Sequence, residues 1–417
     1  MQIFHDKTNI TVKSAFEQTQ FIDWRTQPKN HKTYPKFFRR FDIDDYEDIK
    51  FIKNFGKITN TKKYGTEEVN LRSNPSAGGL YPCEIYIQIR GVKGLLSGIY
   101  HYEPLTNSLC LIHELSSDGI EHYFKENSSK KFVILISNVY FRSLWKYEKR
   151  ATRYLLLDTG HQLSSIYSAL KLADIKHKIS FDFQKELLEE NFGFDGTEFF
   201  MASIVVDNEK EIKPKKLREQ LLSVCASDYY IKDEFIENFS KELSSEKYQS
   251  FENISFFDEF SKEQLQNAID SRRSIRAFRK DSISKEEFDF ILKNIFDIAF
   301  EFGMEIYMIN NNVENLVQGS YKNVELLQGG DFKVDATKLA FNQKLGGDST
   351  FTLFYTSKAD LTYTQNYILS GFLAHIISLR ATHLNIGSSG IGAYFDDECQ
   401  KFFNTKNNIL YLQAIGR

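Results

Sequence analysis

Three stretches of the chain combine residue types and spacings that suit a flat, phosphate-bearing ligand. The first is Arg72-Ser-Asn-Pro-Ser-Ala-Gly-Gly-Leu-Tyr-Pro82. Pro75 fixes one backbone angle, and Gly78 and Gly79 permit a tight turn whose main chain can lie close against a planar ring. The second is Arg272-Arg-Ser-Ile-Arg276. Its three guanidinium groups and one hydroxyl offer forked donors to a phosphate and to ring carbonyls. The third is Asn385-Ile-Gly-Ser-Ser-Gly-Ile-Gly-Ala-Tyr394, whose glycines would let main-chain N–H groups approach a ring nitrogen. Each stretch also has a plainer reading: a loop, a solvated basic face, and a helix C-cap followed by a turn.

The elements that must position these stretches recur along the chain. Glu84-Ile-Tyr, Val92, Gly98 and Tyr100 are matched at one common spacing by Glu305-Ile-Tyr, Val313, Gly319 and Tyr321. An apolar strand follows in each half, Phe132–Ile136 and Phe351–Tyr355, and then a long helix starting near Tyr154 and near Tyr367. The pattern is that of a tandem duplication. Ser261 with Gln264, and Ser284 with Glu287, have the spacing of capping boxes at helix starts. Phe288, Ile291, Leu292, Ile295 and Phe296 then form a stripe at helical spacing. Strands and helices mix without strict alternation, which predicts an α+β fold rather than a doubly wound sheet. The boundaries expected are an N-terminal extension (1–60), a first domain (61–225), a partly helical linker (226–260) and a second domain (261–417).

Composition narrows the function classes. A chain of 417 residues suggests two or three domains, and 37 Phe with 22 Tyr promise aromatic-rich cores. A net charge of −3 gives no field favouring nucleic acid or an anionic membrane. Cys83, Cys110, Cys225 and Cys399 are scattered without metal-ligand spacing, so no metal site is expected. The start, Met1-Gln-Ile-Phe-His-Asp-Lys7, lacks a basic-then-apolar signal, and no apolar run is long enough to span a bilayer. A cytoplasmic protein is the expectation.

Taken together, the three stretches resemble the nitroreductase superfamily. The resemblance implies two tandem FMN-binding domains forming a pseudo-dimer within one chain. In that superfamily the Arg-rich and Gly-rich segments come from one subunit and the Pro-Ser segment from the other. Here the Pro-Ser segment occurs only in the first half, and the other two only in the second. Residues 298–304 and 173–179 stand where each would repeat. One composite FMN site per chain is therefore expected, with the second vestigial. By the same resemblance Arg272, Arg273, Ser274, Arg276 and the closing Arg417 contact the phosphate and pyrimidine edge. Ser389, Gly390, Ile391 and Gly392 approach the ring nitrogen N5, and Pro75, Ser76, Ala77, Gly78 and Gly79 cover the ring.

The resemblance narrows to azoline dehydrogenases of the streptolysin-S type, on Asn74–Tyr86, Gly98–Pro104 and Trp145–His161. His5, Thr8, Trp24, Pro28, Lys32, Tyr34 and Pro35 echo the same subfamily. It spans residues 1–205 well and 261–417 moderately; Asn74 departs from the usual Ser or Pro. The implied reaction turns thiazoline or oxazoline rings of a ribosomally made precursor peptide into thiazoles or oxazoles, with oxygen reoxidising the flavin. The catalytic residues implied are Lys146, as base, and Tyr147, as proton relay. Arg150 and Arg153 would favour the neutral lysine by like-charge repulsion. His161 reads equally as a functional and as a core-facing histidine. The implied partners are the precursor peptide and a cyclodehydratase complex that recognises its leader. The alternatives are an NAD(P)H-dependent nitroreductase or quinone reductase, another peptide oxidation, and a non-catalytic scaffold of a peptide-modifying complex.

Overall fold

The computed structural model describes residues 1–17, 22–64, 67–125, 128–207, 213–243, 246, 248–249, 255–358 and 362–417. They form two compact units. One comprises Asp23–Ala151 and Ser165–Ser255, the other Met1–Ile22, Thr152–Ser164 and Phe256–Arg417.

The first unit is built on nine strands: β1 (Arg40–Asp42), β2 (Ile58–Tyr64), β3 (Glu67–Arg72), β4 (Cys83–Ile89), β5 (Gly98–Glu103), β6 (Ser108–Glu114), β7 (Lys130–Asn138), β8 (Lys178–Ser180) and β9 (Phe199–Asp207). β2 and β3 make a separate hairpin, and the other seven form one sheet in the order β1-β6-β5-β4-β7-β9-β8. Every residue of β4 is buried, as is nearly all of β7 and β9. A strand covered on both faces has no polar side to show, so Phe132–Ile136 reads as a continuous apolar run instead of an alternation.

The second unit carries β10 (Met304–Asn310), β11 (Gly319–Lys322), β12 (Glu325–Gly329), β13 (Phe351–Ser357), β14 (Gly387–Ile391) and β15 (Asn408–Gly416). Their order, β12-β11-β10-β13-β15-β14, repeats that of the first sheet without β1. Cys83 and Met304, Gly98 and Gly319, and Lys130 and Phe351 open equivalent strands at the spacing of the sequence repeat. The molecule is thus α+β, with two tandem copies of one fold.

Helix starts follow their caps. Ser261 and Ser284 both complete capping boxes, with Gln264 and Glu287, and open the helices Lys262–Ser271 and Lys285–Leu292. Leu265, Ala268 and Ile269 line the buried face of the first, and Phe288, Ile291 and Leu292 that of the second. The expected linker does contain a helix, Glu234–Leu243, buried through Ile236, Phe239 and Leu243. Its residues 244–245, 247 and 250–254 lie outside those described. The long helices run Ala151–Leu172 and Tyr363–His383. The latter is buried from Tyr363 to Ala381, as its largely apolar circumference requires.

Among the described residues no helix is long and apolar enough to cross a membrane. Cys83, Cys110, Cys225 and Cys399 are free thiols, and no cluster of His, Cys, Asp or Glu among the described residues could hold a metal ion.

Candidate functional site

In the first unit the Pro-Ser stretch is a turn held from below. The Tyr81 N–H donates to Ser76 Oγ at 2.9 Å, and the Tyr81 hydroxyl accepts from the Arg72 N–H at 2.9 Å. The buried Arg142 guanidinium donates to the Tyr81 carbonyl at 2.8 Å and to Glu84 Oε1 at 2.6 Å. His101 Nε2 reaches the other oxygen of Glu84 at 2.9 Å. Burial alone would raise the Glu84 carboxyl; the charges of Arg142 and His101 outweigh it and hold the group well below the usual carboxylate range. The Asn74 to Tyr86 and Gly98 to Pro104 motifs are therefore joined by one ionic knot beneath the turn.

Above that knot the chain bends through Gly78 and Gly79, at φ of 65° and 70°. Gly78 lies against the Lys-Tyr pair. A Cβ placed on it would be 2.7 Å from Tyr147 Oη and 3.1 Å from Lys146 Nζ. A Cβ on Gly79 would meet nothing within 4 Å. Lys146 and Tyr147 end the short helix Phe141–Tyr147, both half-buried, and Lys146 Nζ also lies 5.0 Å from the centre of the Trp24 ring. Pro75, Ser76, Ala77 and Gly79 are half-buried and Gly78 is exposed, so the turn is open to a ligand. A cavity of about 710 Å³ in this unit, beside Phe181, Lys185 and Tyr248, contains none of these residues.

In the second unit the Arg-rich and Gly-rich stretches lie side by side. Ser274 bridges to Ser388, and the Ile275 N–H donates to the Ser388 carbonyl at 3.1 Å. The expected Gly-rich loop is a strand, β14, because Gly387–Ile391 pair with Leu412–Gly416 of β15. Arg272 is buried and Arg273 half-buried; Arg276 is exposed, with no carboxylate against it among the described residues. Tyr411 packs its hydroxyl on Gly390, and the Tyr154 ring packs on Gly392. Ile391 is buried in the core beside them.

Behind Gly390 lies a closed polar cluster. His161 Nε2 is 3.1 Å from Tyr411 Oη, and the His161 and His375 rings are 6.1 Å apart. Burial pushes the His161 imidazole down to about 3, and the Arg272 guanidinium adds to the shift. His161 is thus a core histidine of the helix Ala151–Leu172, one of its two sequence readings.

Two arginines have partners the sequence did not indicate. Arg417, expected at the phosphate, has its guanidinium donating to Glu287 and, at 3.1 Å, to the Ser282 carbonyl. Glu287 is the partner of Ser284 in the capping box of the helix Lys285–Leu292, so Arg417 pairs at a helix start. Arg153, expected to press its charge on the lysine, is paired with Asp396 at 2.6 Å and donates to the His5 carbonyl and Thr8 Oγ1, each at 2.8 Å. A matched charge exerts little repulsion elsewhere.

Residues 269–417 match the model of the nitroreductase family. That stretch is similar to the nitroreductase family. Over 111 residues the chain is 33% identical to a nitroreductase-like protein of Methanocaldococcus jannaschii, covering 25% of this chain. The chain spans about half, 55%, of that curated relative. A solved nitroreductase-like structure from Anabaena variabilis matches 100% of this chain and 99% of its own, with a TM-score of 0.81 at 22% identity. The Escherichia coli microcin synthetase McbBCD complex with truncated pro-MccB17 matches 50% of this chain and 92% of its own, with a TM-score of 0.32 at 16% identity. The fold is therefore that of two tandem nitroreductase-like domains.

The residues present fit the flavin that nitroreductases use. Ser389 Oγ is buried without a hydrogen-bond partner among the described residues, as a donor kept for a ligand would be. The exposed Arg276 offers a fork for a phosphate, and the open face of Gly79 offers backbone to a ring. The motifs alone did not single out Arg142, Glu84 and His101. For Glu84 and His101 a carboxylate and an imidazole inside β4 and β5 were the available signal, since such groups are buried only when paired; Arg142, in the helix Phe141–Tyr147, carried none.

Proposed function

We propose that this protein is an FMN-dependent dehydrogenase that oxidises thiazoline or oxazoline rings of a ribosomally made precursor peptide to thiazoles or oxazoles, with oxygen reoxidising the flavin. The observation that supports it best is the seating of Lys146 and Tyr147 against Gly78. A proton acceptor and a hydroxyl stand at the turn that this reading lays over the flavin ring. FMN, when bound, supplies a hydride acceptor. Arg272, Arg273, Ser274 and Arg276 would hold its phosphate and pyrimidine edge with Ser389–Gly392, and Pro75–Gly79 would cover its ring. The nitroreductase-family match of residues 269–417 supports the flavin half of the reading.

Lys146 does the proton work. Aromatising an azoline removes a proton from the ring carbon next to the carbonyl and a hydride from the neighbouring carbon. The amine takes that proton, and it must be neutral to do so; exclusion of water by a bound peptide favours the neutral form. Tyr147 donates to the ring nitrogen, which steadies the charge that develops as the proton leaves. The Arg142–Glu84 knot holds the turn, so the two side chains keep a fixed target. A cyclodehydratase that forms the azoline is the expected partner.

The test is direct. Purified protein is loaded with FMN, its flavin-to-chain ratio is measured, and it is incubated in air with a thiazoline-bearing peptide. One flavin per chain, loss of two hydrogens per ring and matching hydrogen peroxide are expected. An unchanged peptide with rapid bleaching of the flavin by NADPH would replace the reading with a nitroreductase or quinone reductase, which the family match equally suits. Failure to bind FMN would make the protein a scaffold.

A further inference from the structure

Trp24 is 59% exposed, yet its ring has protein neighbours on two sides. It opens a single turn of 3-10 helix, Trp24–Thr26, capped by Asp23, whose carboxylate accepts from the Arg25 N–H at 3.1 Å. The Trp145 ring meets it edge-on, 5.6 Å between centres at 73°. The Trp145 indole N–H donates to Thr26 Oγ1 at 2.9 Å, and the Tyr229 hydroxyl donates to the Thr26 carbonyl. On the inner side, Lys146 Nζ lies 5.0 Å from the Trp24 ring centre, with Gly78 beyond it. An indole whose turn is held through Thr26 and whose ring meets Trp145, while most of its surface stays in water, loses little entropy when a ring is laid on it.

From this arrangement we propose that Trp24 is the platform on which the five-membered ring of the substrate peptide stacks, delivering its acidic carbon to Lys146. The occupant is a thiazoline- or oxazoline-type ring flanked by peptide. This rests on the proposed dehydrogenase reading and adds the residue that recognises the ring. Such a ring has a polarisable face but few hydrogen-bonding atoms, so a flat aromatic surface is the complementary partner. The Lys146 ammonium attracted to the same indole provides a charge-based hold until the substrate arrives. Peptide without a ring would bind more weakly, since only the planar group gains the stacking.

The protein contains two tryptophans, Trp24 and Trp145, so its whole indole emission reports on this place. The experiment titrates FMN-loaded protein with a peptide bearing one thiazole, which binds without turning over, and with the same peptide carrying unmodified cysteine. Saturable quenching by the thiazole peptide is expected in the wild type and in Trp145→Phe. It should vanish in Trp24→Leu, which should also bind that peptide roughly tenfold more weakly by calorimetry, the equivalent of one lost aromatic contact. Trp24→Phe should recover most of the affinity. In turnover with the thiazoline peptide, Trp24→Leu should raise KM with a smaller change in kcat. Quenching that persists in Trp24→Leu, or equal affinity for the cysteine peptide, would overturn the platform. Azoline oxidation with unaltered KM in Trp24→Leu would overturn it while leaving the dehydrogenase standing; absence of both oxidation and binding in the wild type would remove the two together.

Discussion

Gly160 and Gly371 meet where the helices Ala151–Leu172 and Tyr363–His383 cross. A Cβ on Gly160 would stand 2.0 Å from the Ile368 carbonyl oxygen, and one on Gly371 would stand 2.2 Å from that of Leu157. Both obstacles are backbone, so no side chain can rotate aside. Gly160→Ala and Gly371→Ala should each cost about 1–3 kcal/mol through overpacking, despite the roughly 1 kcal/mol that alanine gains in helix propensity. Calorimetry should show lower Tm for each, and less than additive loss in the double variant, because the first substitution already parts the helices. Unchanged Tm in both would mean the crossing can open freely.

Acid sensitivity should trace to the buried histidines. His161 lies at about 3 in the folded protein against 6.5 ordinarily. The unfolded chain therefore takes up a proton that the folded one refuses. The stability held above about pH 6.5 is lost as pH falls toward 3, by about 1.4 kcal/mol per pH unit per histidine. His375 is shifted the same way by burial, with His161 and Arg272 adding to it. Melting curves from pH 7.5 to 5 should be flatter for His161→Gln, in which the amide can still pair with the Tyr411 hydroxyl. An acid limb identical to the wild type would assign the effect to other groups.

Much of this was legible before any coordinates, for identifiable reasons. Capping at Ser261 and Ser284 is local chemistry within four residues, and both helices start where it says. The repeat from Glu84 to Glu305 survives because buried central strands tolerate few side chains. Arg153 and Arg417 were harder. Their partners, Asp396 and Glu287, are distant in sequence, and an isolated arginine does not announce which carboxylate it will meet. The Gly-rich stretch read as a loop because glycine is rare within strands, yet β14 is an edge that pairs on one side only. Trp24 and Trp145 are 121 residues apart by number, and only the fold brings their rings together.

Removing the amine should separate chemistry from cofactor binding. Lys146→Ala is expected to lower kcat by about 10²–10⁴-fold, the usual share of a positioned base. The flavin-to-chain ratio should stay unchanged, because Lys146 Nζ lies against Trp24, Tyr147 and Gly78. Lys146→Arg should not rescue turnover, since guanidinium does not deprotonate. Loss of flavin together with activity would make Lys146 a cofactor residue.

Gly78 and Gly79 offer the sharpest comparison, because neighbouring residues share a backbone cost and differ in what a methyl would touch. Both have φ near +70°, so alanine at either should cost about 1–2 kcal/mol of stability. At Gly78 the new methyl would press on Tyr147 Oη at 2.7 Å and Lys146 Nζ at 3.1 Å. Those are the far ends of long side chains, so the methyl shifts their alignment more than it lowers stability. Gly78→Ala should therefore keep its flavin and lose kcat by roughly 10²-fold, the penalty of misplacing a reacting group by about 1 Å. At Gly79 the methyl meets no protein atom within 4 Å and enters the space assigned to the flavin ring. Gly79→Ala should weaken FMN binding, measured by fluorescence titration, while the flavin-saturated variant turns over more nearly as the wild type does. Equal Tm shifts with opposite failures, turnover in one and flavin in the other, are the expected pair. Identical behaviour of the two would mean that Lys146 and Tyr147 do not work against this turn.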